Sequence, residues 1–158
     1  MTREELFQFE YWLELAFAAL LAGTCPLIYK SREADELQSP RIEIKAVLGK
    51  ALEHRKAYSD GVTSDFDAYE ATLEITVATN RAAVEGTPTH NQLLGSVRSR
   101  VSMKYALANW ESDVAVINDI RPQGTIDTFS DENCIDLTSL SFYLVFNVKP
   151  SAWPSFNT

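Results

Sequence analysis

Period-two alternation dominates the middle and the end of this chain, and no helix can satisfy it. Tyr69, Ala71, Leu73, Ile75 and Val77 alternate with Glu70, Thr72, Glu74 and Thr76. Leu140, Phe142, Leu144, Phe146 and Val148 alternate with Ser141, Tyr143, Val145 and Asn147. In an extended chain successive side chains point to opposite faces, so each stretch offers one apolar row to a core. Ile42, Ile44, Ala46 and Leu48 interleave with Arg41, Glu43, Lys45 and Val47 in mostly the same way, and Gly49 predicts a bulge or break. Residues 51–58 are ambiguous between a helical turn and continued strand. Strand is the better reading, because Ser59, Asp60 and Gly61 then turn a hairpin into the Tyr69 stretch. Residues 27–29 and 114–120 read as further strands, the latter turned by residues 122–124 and followed by a brief alternation over 125–129.

Two segments follow the helical period instead. Thr2 and Glu5 form a capping box, and no Gly or Pro interrupts the run up to Gly23. The spacing predicts an N-terminal helix over residues 3–22, with Leu6, Phe9, Leu13, Phe17 and Leu20 as its apolar stripe. Phe7, Trp12, Leu15 and Leu21 fall off that stripe, so the helix is apolar on more than one face. It is either deeply buried or carries a subunit contact. Thr89 can cap a second helix from His90 to about Ala108, with Leu94, Val97, Val101 and Tyr105 buried. Arg98 and Lys104 lie off that stripe and Arg100 is opposite it.

Strand runs joined by turns predict one α+β domain over residues 1–158, with a mainly antiparallel sheet, a β-hairpin, and two helices packed on one face. Two helices cannot cover both faces of such a sheet. The second face is expected to meet solvent or an assembly partner. Residues 150–158 form an aromatic tail without periodicity, holding Trp153 and Phe156.

The formal net charge of -8, from 22 acids against 14 bases, disfavours gripping a phosphate backbone but permits DNA to pass without sticking. No apolar stretch approaches the roughly 20 residues of a membrane span, and the early acids Glu4 and Glu5 argue against a secretory signal. Two cysteines, Cys25 and Cys134, make no disulfide framework and read as reduced thiols. The chain is expected to be made in a reducing cytoplasm.

Chemistry-bearing patterns are sparse. With two histidines, His54 and His90, and no CxxC, a closed zinc site is not expected. His90 reads as a helix-start or surface residue and His54 as part of a polar strand end. Asp60, Asp65 and Asp67 flank one turn; Asp127, Asp131, Glu132 and Asp136 flank another. Neither group matches a calcium loop, and turn formation accounts for both. There is no G-x-S-x-G, GxGxxG or Walker A pattern, so no catalytic residue, cofactor or metal ligand is assigned and the chain is read as a non-enzyme.

Particular segments carry a family likeness. PRIEIKAVLGKALEHRKAY from Pro40 precedes FDAYEATLEITVATNR; then come HNQLLGSVRSRVSMKYAL from His90 and the closing RPQGTIDTFSDENCIDLTSLSFYLVFNVKPSAWP. This order and texture resembles the small tail-terminator and tail-completion proteins of tailed bacteriophages, over most of the chain and through pattern instead of a catalytic signature. The resemblance implies a homo-oligomeric ring, typically hexameric, that caps the tail tube, binds tail tube protein and a neck or connector protein, and leaves a lumen for DNA. It implies a virion location after assembly in the host cytoplasm. A neck or head-completion protein fits the same texture. From other classes, a small-molecule binding module or enzyme would need a deep pocket, and a cellular adaptor would need no ring.

A ring subunit requires two different complementary surfaces. Phe7 and Trp12 on the first helix, the uncovered sheet face, and Trp153 and Phe156 in the tail are the candidates. Arg98, Arg100 and Lys104 are candidates for pairing with acidic turns of a neighbour.

Overall fold

The computed structural model describes residues 3–30, 39–59, 62–81, 86–110, 115–130 and 134–148. Elements run α1 (Arg3–Leu20), β1 (Ile28–Lys30), β2 (Arg41–Ser59), β3 (Val62–Asn80), α2 (His90–Arg100), α3 (Met103–Asn109), β4 (Ala115–Ser130) and β5 (Ile135–Val148). The five strands make one sheet in the order β1-β2-β3-β5-β4, with β1 parallel to β2 and all other neighbours antiparallel. This is the α+β class that the alternating runs dictate.

Register explains why the alternation matters. Leu73 pairs Ala46 on one side and Phe142 on the other; Ile75 likewise pairs Ile44 and Leu140. All the apolar rows therefore land on one face. Against it pack Leu13 and Phe17 of α1, Leu21 just after its end, and Leu93, Leu94 and Val97 of α2, all buried. Leu21, off the expected stripe, is fully enclosed. Gly23 ends the first helical segment in the left-handed region, at φ 85°, where a side chain would be strained.

The opposite face is mostly a polar lattice. Lys45, Thr72 and Glu74 are exposed, Tyr143 Oη donates to Glu70 Oε2 at 2.8 Å, and the Thr76 and Ser139 hydroxyls meet at 2.9 Å. No helix covers this face among the described residues. Val145 and Asn147 are nonetheless buried there, Asn147 accepting from the Asn118 side-chain amide at a bulge of β4.

Two local readings change. The second helix is two helices, because Ser102 caps a new start by accepting from Tyr105 N, after Val101 leaves helical geometry. Ser99 and Ser102 hydroxyls bond back to the Ser96 and Ser99 carbonyls, a local competition that weakens helix. Among the described residues three helices are thus present where two are expected. Residues 122–124 do not turn the chain: β4 runs straight on through a bulge between Pro122 and Gly124. As β4 is the sheet edge, Pro122 can sit there without removing an interior ladder bond. The expected Thr2 cap, the Asp60–Gly61 turn and the acidic turn at 131–133 lie outside the described residues.

Helix α1 also closes a sheet edge. Among the described residues β1 pairs β2 up to Ile44, and later β2 amides lie on the edge beyond it. Glu14 Oε1 accepts from Ala46 N at 3.1 Å and Glu10 Oε1 from Leu48 N at 3.2 Å. One helical turn separates the two carboxylates, which matches the spacing of alternate amides along a strand. Glu14 is 1% exposed, and this bond satisfies one of its two buried carboxylate oxygens.

Candidate functional site

Three places deserve scrutiny: a cleft between α1 and α3, a polar row under α2, and the far half of the β2–β3 hairpin.

The cleft has a volume of 610 Å³ and is lined by Trp12, Leu15, Ala19, Arg100, Tyr105 and Trp110 among others. An aromatic cluster forms its floor. Trp12 and Trp110 have ring centroids 5.7 Å apart, and Phe17 meets Trp110 edge-on at 5.2 Å. α1 has no basic residue in its last turn. Arg100 supplies one from α2, donating from Nη1 to the Leu20 carbonyl at 3.3 Å and the Ala22 carbonyl at 2.8 Å. Its guanidinium also stands 5.7 Å from the Tyr105 ring centroid. This cation completes a helix C-terminus.

The polar row joins four side chains. The Thr138 hydroxyl donates to Asp127 Oδ1 at 2.7 Å, so its oxygen is left to accept from His90 Nε2 at 2.7 Å. His90 Nδ1 then accepts from the Thr79 hydroxyl at 2.8 Å. Both ring nitrogens are occupied, and the row ties the start of α2 to β3, β5 and β4. Beside it is a 330 Å³ pocket with Arg81, Asp127 and Asp136 on its walls. The helix start itself is capped by Thr89, whose hydroxyl accepts from Gln92 N while Gln92 Oε1 accepts from Thr89 N.

The hairpin strands stay paired to Ser59 and Val62, whereas β5 pairs β3 no further out than Asp67. The outer part of β2–β3 is therefore a two-stranded ribbon among the described residues. Register shifts follow Leu48 and Leu52, and a Cβ on Gly49 would lie 2.7 Å from Glu70 Cγ. Glycine lets the two strands approach where the ribbon leaves the sheet.

Of the residues singled out from sequence, Trp12 lines the cleft and Arg100 is bound to the end of α1. Arg98 and Lys104 are exposed on α2 and α3. The Phe7 side chain, Trp153 and Phe156 lie outside the described residues. His90 reads from sequence as a helix-start or surface residue and Asp127 as part of a turn; their union with Thr79 and Thr138, and the place of Trp110, carried no sequence signal, because packing and strand register assemble them. Cys25 is buried, its thiol pushed up by burial and partly relieved by the Leu27 backbone; Cys134 is exposed, and neither is in a disulfide. Among the described residues no cluster of three His, Cys, Asp or Glu side chains is placed to hold a metal ion, and no helix is long and apolar enough to cross a membrane.

No protein-family model matches this chain, and no curated protein does. It is similar to a solved chain from a structure described as the virion of a native gene transfer agent particle. That match has 14% identity and a TM-score of 0.46, covering 91% of this chain and 95% of the other. A second solved chain matches at 11% identity and a TM-score of 0.43, with 94% and 97% covered. Neither likeness is close enough to assign a family.

Proposed function

We propose that this chain is a structural protein of a phage virion: the tail-terminator ring, which caps the tail tube and docks it to the neck. The observation that carries this reading is the outer β2–β3 ribbon. A two-stranded ribbon is marginal in water by itself. One that extends past its sheet, with both backbone edges unpaired among the described residues, is a natural element for pairing with a neighbouring subunit. The order of a leading helix, hairpin, middle helices and closing strands agrees with the resemblance drawn from the sequence. The net charge of -8 suits a lumen through which DNA slides without being held. In this role the partners are further copies of the chain, typically six, then tail tube protein below and a neck protein above.

The test is solution mass with negative-stain imaging, alone and with purified tail tubes. Rings with a central hole, or caps at one end of the tubes, are the expected result. A chain that stays monomeric and leaves tube ends bare would overturn the reading. Binding to a portal-side complex in place of tail tubes would make it a neck protein.

A further inference from the structure

We infer that the cleft between α1 and α3 receives the C-terminal segment of a second copy of this chain, with Trp153 and Phe156 as anchors. The inference rests on the ring reading and specifies one of its contacts.

The chemistry of the cleft comes first. Its volume lies within the roughly 300–1,000 Å³ of concave binding sites. Its walls are aromatic at Trp12, Tyr105 and Trp110, and small at Ala16 and Ala19, so flat rings can enter. Leu15 on its rim is 41% exposed, a large apolar side chain left in water. Among the described residues no acid lines the cleft, and its one base, Arg100, is turned to the end of α1. The matching ligand is an aromatic one. Residues 149–158, KPSAWPSFNT, have that character: two aromatics, no acid and a single lysine. Trp and Phe each bury about 150–250 Å² when they anchor a contact.

Position comes second. The segment follows Val148, the last residue of β5, which pairs Ala115 at the start of β4. Trp153 is five residues further and Phe156 eight, for reaches of about 17 and 27 Å at full extension. That is long enough to cross a subunit boundary. The cleft lies on the helix side and the segment starts at a strand end, so donor and receptor are different surfaces. Such a contact is head-to-tail, the kind that closes rings.

Complementation between two full-length variants tests this by sedimentation velocity. Leu15→Glu spoils the cleft but keeps the segment; Trp153→Ala with Phe156→Ala does the reverse. Each alone is expected to self-associate at least tenfold more weakly than the unaltered chain, with an unchanged thermal melt. Mixed in equal amounts they should form one-to-one pairs. Ala19→Glu, also at an exposed position, replaces Leu15→Glu if the latter misfolds. Variants that associate as the unaltered chain does would overturn the inference while the ring stands. So would loss of Trp fluorescence change in the tail variant at a concentration-independent monomer mass, since the segment would then sit on its own cleft. An unaltered chain that never associates, with itself or on tail tubes, removes both.

Discussion

The two halves of the β2–β3 hairpin are built from one continuous ladder and live in different physical circumstances. In the inner half, Ile42, Ile44 and Ala46 face Val77, Ile75 and Leu73 beneath α1, with β5 completing the sheet. In the outer half, residues 51–59 pair 62–69, and past Asp67 no third strand joins them among the described residues. The outer sequence, ALEHRKAYS against VTSDFDAY, lacks the apolar alternation of the inner one. Backbone pairing is thus shared by both halves, while the alternating apolar rows of the sequence belong to the inner one. Hydrogen bonds contribute little net stability compared with apolar burial, so the inner half, with its buried rows, anchors the fold, and the outer half is the part that the proposed assembly would use.

That contrast makes graded predictions. Leu73→Ala removes a fully buried side chain at the centre of the inner half and should cost about 3 kcal/mol or more, read from urea unfolding. A loss under about 1 kcal/mol would mean the inner half is not the anchor. Glu14→Ala takes away the buried acceptor of Ala46 N and should cost about 2 kcal/mol, with Glu14→Gln recovering part of it. Equal losses for both variants would show that charge matters there and not the edge bond. Gly49→Ala, at the junction of the halves, should cost about 1–2 kcal/mol by pushing on Glu70. Adding Glu70→Ala should relieve it. The smallest effect belongs to the outer half. Removing residues 53–67 and joining Leu52 to its partner Ala68 through Asn-Gly should change stability by less than about 1 kcal/mol. The same deletion should abolish ring formation in negative stain. Rings that persist without the ribbon would break the link between that region and assembly.

Much of this arrangement is legible in particular residues. Tyr69 to Val77 and Leu140 to Val148 state their strands and their buried face outright. Gly49 marks its bulge, Gly23 its helix end, and Thr89 its helix cap. The helix break at Ser102 is written less clearly: serines weaken a helix without saying where it stops, and the cap bond to Tyr105 N decides it. Pro122 and Gly124 look like a turn, but a neighbouring strand long enough to pair on both sides holds them extended. Arg100 looks like a solvated cation until the end of α1 is brought beside it.

The chain's own order of residues determined which segments extend, which coil, and which side of each is apolar, because those properties depend on neighbours two to four positions away. Only the folded molecule decided that Glu14 would close a sheet edge, that His90 would join Thr79 to Thr138, and that Trp12 would meet Trp110 in a cleft. Each of these needs two groups far apart in the chain to arrive within bonding distance. Strand register and helix docking set such distances, and no local pattern encodes them.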